Sequence, residues 1–218
     1  MNKVELIEKT KEYVKQVLST DSTGHDWQHT KRVWQNACKI MSAYSNVDTL
    51  VVELAALLHD IADWKFHNGD ETIGAKTAHK FLSGCKVDEK TIEKVSDIIL
   101  KLSFKGANVQ NEITTLEGQI VQDADRLDAI GAIGVARALS YGAIHNRELY
   151  NPDIEPVLHD SFEAYKNSRS TTLNHFYEKL LLLKDRFNTE EAKKMALSRH
   201  KFMEDFLNQF ISEWNGLI

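Results

Sequence analysis

Both prolines of this 218-residue chain, Pro152 and Pro156, fall in one short stretch. Proline removes a backbone donor and blocks a helix interior, so the sequence outside that stretch is free to be helical. Strand-like alternation is absent over any useful length, while several segments repeat apolar residues at intervals of three and four, the period of a helix face. With no linker, internal repeat or low-complexity tract in view, the expectation is an all-α helical bundle forming a single domain over 1–218.

The pattern places helices at 3–19, 26–44 and 48–63, with a break at Ser22-Thr23-Gly24. A turn follows at Asn68-Gly69. Asp70 is expected to cap a helix running to Leu82, and Asp88 another running to Leu102. Residues 104–112 suit a loop. One long helix is expected from Ile113 to Ala143, although Gly118, Gly131 and Gly134 weaken it by about 1 kcal/mol each against Ala. Residues 144–156 suit a loop or flap over a site, or a plain connection, and helices at 157–166 and 171–186 follow it. The last helix, Glu190–Trp214, has a stripe of Ala192, Met195, Ala196, Arg199, Met203, Phe206, Phe210 and Trp214. Thr189 is its cap.

The bulk numbers exclude several classes. The net charge is −5, from 27 basic and 32 acidic residues, which gives no footprint for a nucleic-acid backbone. The two cysteines, Cys38 and Cys85, lie far apart, which argues against a disulfide framework or a cysteine-rich zinc site. The charged N-terminal stretch has no signal-peptide character, and no apolar run approaches the roughly 20 residues of a membrane span. A soluble cytoplasmic protein is expected, with no nucleic-acid or membrane partner; a homodimer stays open.

Three clusters of ligand-type side chains stand out. In the first, His25-Asp26-Trp27-Gln28-His29 is followed by Arg32. The second ends the apolar run Leu54-Ala55-Ala56-Leu57-Leu58 with His59-Asp60 and then Asp63. The third is Gln122-Asp123-Ala124-Asp125-Arg126-Leu127-Asp128. A burying helix should not carry an imidazole and carboxylates unless something compensates them. A cation does so; so does a helix that ends there and leaves them wet. Likewise His29 could be a satisfied core histidine, Asp123 a solvated carboxylate, and Asp125 or Asp128 the partner of Arg126 or Arg137. Packing the three segments together would join two histidines and two aspartates, the way helix bundles build metal sites. The spacing His25-Asp26-Trp27-Gln28-His29 also matches the zinc-protease helix with Asp for Glu, but it starts just after Gly24, at a helix start rather than in a helix interior.

The order His29-x-x-Arg32-Val33, then His59-Asp60, then Ala124-Asp125-Arg126-Leu127 resembles the HD superfamily of metal-dependent phosphohydrolases. The flanking text, Gly24-His25-Asp26-Trp27-x-His29 and Gln122 to Gly134, together with His175-Phe176-Tyr177-Glu178-Lys179-Leu180, is similar to a narrower branch of small stand-alone bacterial proteins related to YpgQ. Some of that branch are assigned as nucleotide pyrophosphohydrolases. The resemblance implies an HD-type domain with its motif-bearing core at about 20–145 and the C-terminal helices packed on it. It implies His29, His59, Asp60 and Asp125 as metal ligands and Asp63 as the catalytic acid or base. Asp128 falls where the alarmone hydrolases carry histidine, and Ala129 where they carry asparagine, so an alarmone substrate is not implied.

Two imidazoles and two carboxylates suit one borderline divalent ion, Mn first, with Mg, Fe, Co, Ni or Zn as alternatives. Four protein ligands leave two positions on a six-coordinate ion but close a tetrahedral one. His25, Lys65 and Arg147 are candidate contacts to a substrate phosphate, and Asp128 a residue that fixes a ligand or Arg126. By resemblance, the expected substrate is a small phosphorylated molecule, a nucleoside triphosphate or deoxynucleotide cleaved to monophosphate and pyrophosphate. A 5′-nucleotidase, a phosphodiesterase and a nucleotide-binding regulatory module are the alternatives.

Overall fold

The computed structural model describes residues 1–20, 26–62, 70–102, 113–158 and 170–218. Within them the chain is helical and no strand occurs. The expected break at 22–24, the turn at 68–69 and the loop at 104–112 lie outside the described residues. So does the helix expected at 157–166, apart from Val157 and Leu158, which are not helical.

The described residues up to Asp125 form one compact unit and those from Arg126 onward a second. In the first unit, α1 (Lys3–Val17) opens on a capping box: the Asn2 side chain accepts from Glu5 N at 2.9 Å, and Glu5 accepts from Asn2 N at 3.1 Å. The helices α2 (Trp27–Met41), α3 (Thr49–Leu58) and α5 (Glu89–Lys101) are capped by Asp26, Asp48 and Asp88. Between the last two, α4 (Ile73–Gly84) is flanked by Thr72 rather than by the expected Asp70. Asp70 stands two residues earlier and binds the Thr72 hydroxyl, the Thr72 amide and Lys76. The Thr72 hydroxyl first, then Lys76, pull its carboxyl down to about 2.

The centre of this unit is α3. Val51, Val52, Leu54, Ala55, Ala56, Leu57 and Leu58 are all fully buried, so the helix is apolar on every side, the mark of a core helix. It packs against α1, α2 and α5, which supply Val14, Val33, Ala37, Ile40, Ile92 and Val95. The polar residue it carries, Glu53, is compensated by Trp34 Nε1 at 3.0 Å and Lys3 Nζ at 2.9 Å.

Several helices differ from expectation, α2 among them, which ends at Met41 rather than at 44. α3 stops at Leu58 rather than running to 63. The long helix from Ile113 to Ala143 is instead α6 (Leu116–Asp128) and α7 (Gly131–Ile144). The break is at Gly131, whose φ of +76° only glycine adopts at low cost. Arg199 of α8 (Glu190–Trp214) packs directly on this glycine. Asp128 is buried here, with Arg137 Nη1 at 3.0 Å, and Arg199 donates to the Leu127 carbonyl. α8 itself has the expected bounds and its Thr189 cap. The helix expected at 171–186 is a π-turn over Phe176–Leu180 followed by a 3₁₀ stretch over Leu181–Arg186.

No single helix among the described residues is long and apolar enough to cross a membrane. Gly131→Ala should lower stability by about 1–3 kcal/mol. Left-handed backbone costs a β-carbon about 1–2 kcal/mol, and that carbon would sit 2.9 Å from Arg199 Cβ. A fall in the urea midpoint at unchanged slope is the expected result; an unchanged midpoint would contradict this reading of the corner.

Candidate metal centre

The helix α2 presents His29 three residues after its cap, where the Asp26 side chain accepts from His29 N at 2.8 Å. Its side chain is 1 % exposed. His59 is the residue at which α3 ends. A helix end leaves its last carbonyls without intrahelical donors, and the His59 side chain supplies one: its Nδ1 lies 2.9 Å from the Ala56 carbonyl. A carbonyl only accepts, so Nδ1 carries the hydrogen and Nε2 of the neutral ring is left bare. The early stop of α3 therefore fixes the tautomer. His59 at this helix end is not simply wet, because its side chain is only 2 % exposed.

The bare nitrogen faces the other imidazole, with His59 Nε2 3.3 Å from His29 Nε2. Asp60 Oδ2 lies 3.2 Å from His29 Nε2 and 3.3 Å from His59 Nε2. Asp125 Oδ1 lies 3.6 Å and 3.9 Å from the same two nitrogens. The carboxylates are half-buried. Burial works against a charged His59, but the Asp60 and Asp125 carboxylates outweigh it and hold the imidazole pKa above its usual value. The cluster thus favours a positive charge at its centre. The donors of His29, His59 and Asp125 lie within 4.8 Å of one another, a spacing that can hold a metal ion.

His25, Asp63 and Lys65 lie outside the described residues. Asp128 is paired with Arg137, the alternative that its spacing had left open. Arg147 is in the second unit, half-buried, with its guanidinium 5.4 Å from the centre of the Tyr141 ring. Asp123 is fully buried and so is not a solvated carboxylate. One contributor was not anticipated: Asn36 on α2 donates to the Ala124 carbonyl at 3.4 Å, next to Asp125. Its signal is a polar side chain two turns beyond His29, set among Val33, Ala37 and Ile40.

The comparisons agree with these motifs. The family model described as HD domain matches residues 26–130. The chain is 34% identical to Bacillus subtilis YpgQ over 218 residues, covering 100% of this chain and 98% of that protein. The crystal structure of an HD-superfamily hydrolase from Bacillus thuringiensis superposes with a TM-score of 0.77 at 42% identity, covering 98% of this chain and 99% of that one. The crystal structure of YpgQ in complex with ADP gives a TM-score of 0.73 at 32% identity, covering 95% and 97%. An unbroken match to YpgQ, and an HD motif whose histidines and aspartates converge, place this chain in the HD superfamily, in the branch related to YpgQ.

Proposed function

We propose that the protein is a metal-dependent phosphohydrolase that cleaves nucleoside triphosphates, deoxynucleotides included, to monophosphate and pyrophosphate. The observation that carries the reading is the cluster in which each of two buried imidazole nitrogens lies 3.2–3.9 Å from both of two carboxylates. Its donor set fits a borderline divalent cation, and once the His59 ring is neutral its fixed tautomer leaves the ligating nitrogen free of hydrogen. His29, His59, Asp60 and Asp125 would hold one ion, Mn in the first place. When bound, it polarises the phosphoryl group and lowers the pKa of the attacking water.

The remaining steps belong to side chains. Asp63 accepts the proton of that water or delivers one to the leaving group. His25 and Lys65 are the candidate contacts to phosphate oxygens. Asp128, through its pair with Arg137, fixes the end of α6. A nucleotide is the substrate class because YpgQ, alike along the whole chain, has been crystallised with ADP.

The deciding experiment is incubation of the protein with Mn and a panel of nucleoside triphosphates, followed by separation of products. Monophosphate with pyrophosphate is the expected outcome. Release of orthophosphate would point to a phosphatase, and tight binding without product would overturn the catalytic reading. Asp63→Asn should lower turnover by about 10²–10⁴-fold while leaving metal content unchanged; full activity would remove Asp63 from the mechanism.

His59→Ala should reduce metal content from about one ion per chain toward none, as read by elemental analysis. Metal content at the wild-type level would refute the ligand assignment. Metal affinity should also depend on pH. The raised His59 pKa means that the metal-free cluster holds a proton there at and somewhat above the usual imidazole range. Binding must expel it, so affinity should rise with pH through that region and level off above it. A flat profile from acid to mildly alkaline pH would contradict this competition.

A further inference from the structure

Asp125 stands near the end of α6, where the backbone ladder changes. Ala129 N reaches the Arg126 carbonyl at 3.2 Å and Ile130 N the Leu127 carbonyl at 3.4 Å, three residues back rather than four, so the last turn tightens. Helix ends fray, and a carboxylate carried there keeps its direction best when the backbone beneath it is fixed from outside the helix. At its other end α6 is tied to the start of α3: Glu117, in its first turn, accepts from Asp48 N at 2.9 Å. A tie at the ligand end comes from α2, where Asn36 Nδ2 donates to the Ala124 carbonyl at 3.4 Å.

That carbonyl belongs to the peptide unit that ends in the Asp125 nitrogen. The unit is planar, so a donor that fixes its oxygen also fixes the plane from which the Asp125 Cα departs. Asn36 stands seven residues after His29. Seven residues at 3.6 per turn return to nearly the same side of α2, with Val33 buried between the two. One helix face therefore carries an imidazole of the cluster and an amide that holds the peptide beneath one of its carboxylates. Asn36 is half-buried beside the fully buried Val33, Ala37 and Ile40. A polar group in such a place loses hydration, and the bond to Ala124 offsets part of that cost. An aliphatic side chain of similar size would fill the same space, but it could not reach the carbonyl with a donor.

We propose that Asn36 is a positioning residue of the metal centre: through the Ala124–Asp125 peptide it sets the reach of the Asp125 carboxylate toward the ion. All three residues lie in the first unit. The proposal rests on the reading of Asp125 as a ligand and adds to it a residue outside the ligand set. Asn36 acts through Asp125, so its contribution to metal affinity exists only while that carboxylate is present.

The test is a double-mutant cycle on metal affinity in the full-length protein, stripped of metal and titrated with Co²⁺. Cobalt binds such donors more tightly than manganese, which keeps weakened variants measurable, and its visible absorption reports the ligand set. Asn36→Leu should raise the Kd about three- to tenfold, the worth of one neutral hydrogen bond. Asp125→Ala should raise it further. Adding Asn36→Leu to Asp125→Ala should then change the Kd by less than about twofold, because the route through the carboxylate is gone. The metal-free Asn36→Leu chain should melt within about 4 °C of wild type. An equal loss of affinity in both backgrounds, or a metal-free melting temperature lowered by about 10 °C, would mean a general packing role and overturn the proposal. Unchanged affinity in Asn36→Leu while Asp125→Ala binds weakly would overturn it and leave the ligand reading intact. Wild-type affinity in Asp125→Ala would refute Asp125 as a ligand, and the proposal with it.

Discussion

Two imidazole nitrogens held 3.3 Å apart out of water impose the condition on which the first unit depends. If neither carried a proton and nothing lay between them, their lone pairs would repel. The nearby Asp60 and Asp125 oxygens make a bare, uncharged centre still less favourable. A positive charge relieves both problems, whether a proton or a divalent ion supplies it. Around this point α3 is apolar on every face, and His29 sits among the buried positions of α2. The rigidity of that packing is what lets four side chains from three segments meet.

The end of α3 ties local structure to chemistry. Had the helix continued, the Ala56 carbonyl would have taken a backbone donor and the His59 ring could have adopted either tautomer. Because it stops, the side chain bonds that carbonyl through Nδ1 and presents Nε2 to the cluster. The second break, at Gly131, acts differently. It ends the run of α6 just after Asp128, whose buried carboxylate is balanced by Arg137. A buried carboxylate left without such a partner would cost several kcal/mol, so Arg137 is part of what allows α6 to end there.

Much of this was legible in the sequence, for reasons that differ by element. α8 was clear because its apolar stripe is long and its cap is a threonine in the usual place. The meeting of His29, His59, Asp60 and Asp125 followed from the ordered motifs rather than from periodicity, which could not separate a ligand from a core histidine. The end of α3 was missed because Ile61 and Ala62 continue the helical pattern, and no glycine or proline marks the stop. The break before α7 was signalled by Gly131, but propensity alone cannot tell a glycine that merely weakens a helix from one at positive φ. The π-turn at Phe176–Leu180 has no local signature at all; tertiary bonds from Thr172 and Leu173 to the 148–149 backbone precede it.

The central claim is that the His29–His59 pair and the two aspartates enclose a divalent ion. Anomalous diffraction from crystals grown with Mn tests it directly. The account predicts one strong peak at about 2.0–2.3 Å from the Nε2 atoms of His29 and His59 and from oxygens of Asp60 and Asp125. A map with no peak in the cluster while Mn is bound elsewhere on the chain, or a peak that leaves either histidine uncoordinated, would contradict it.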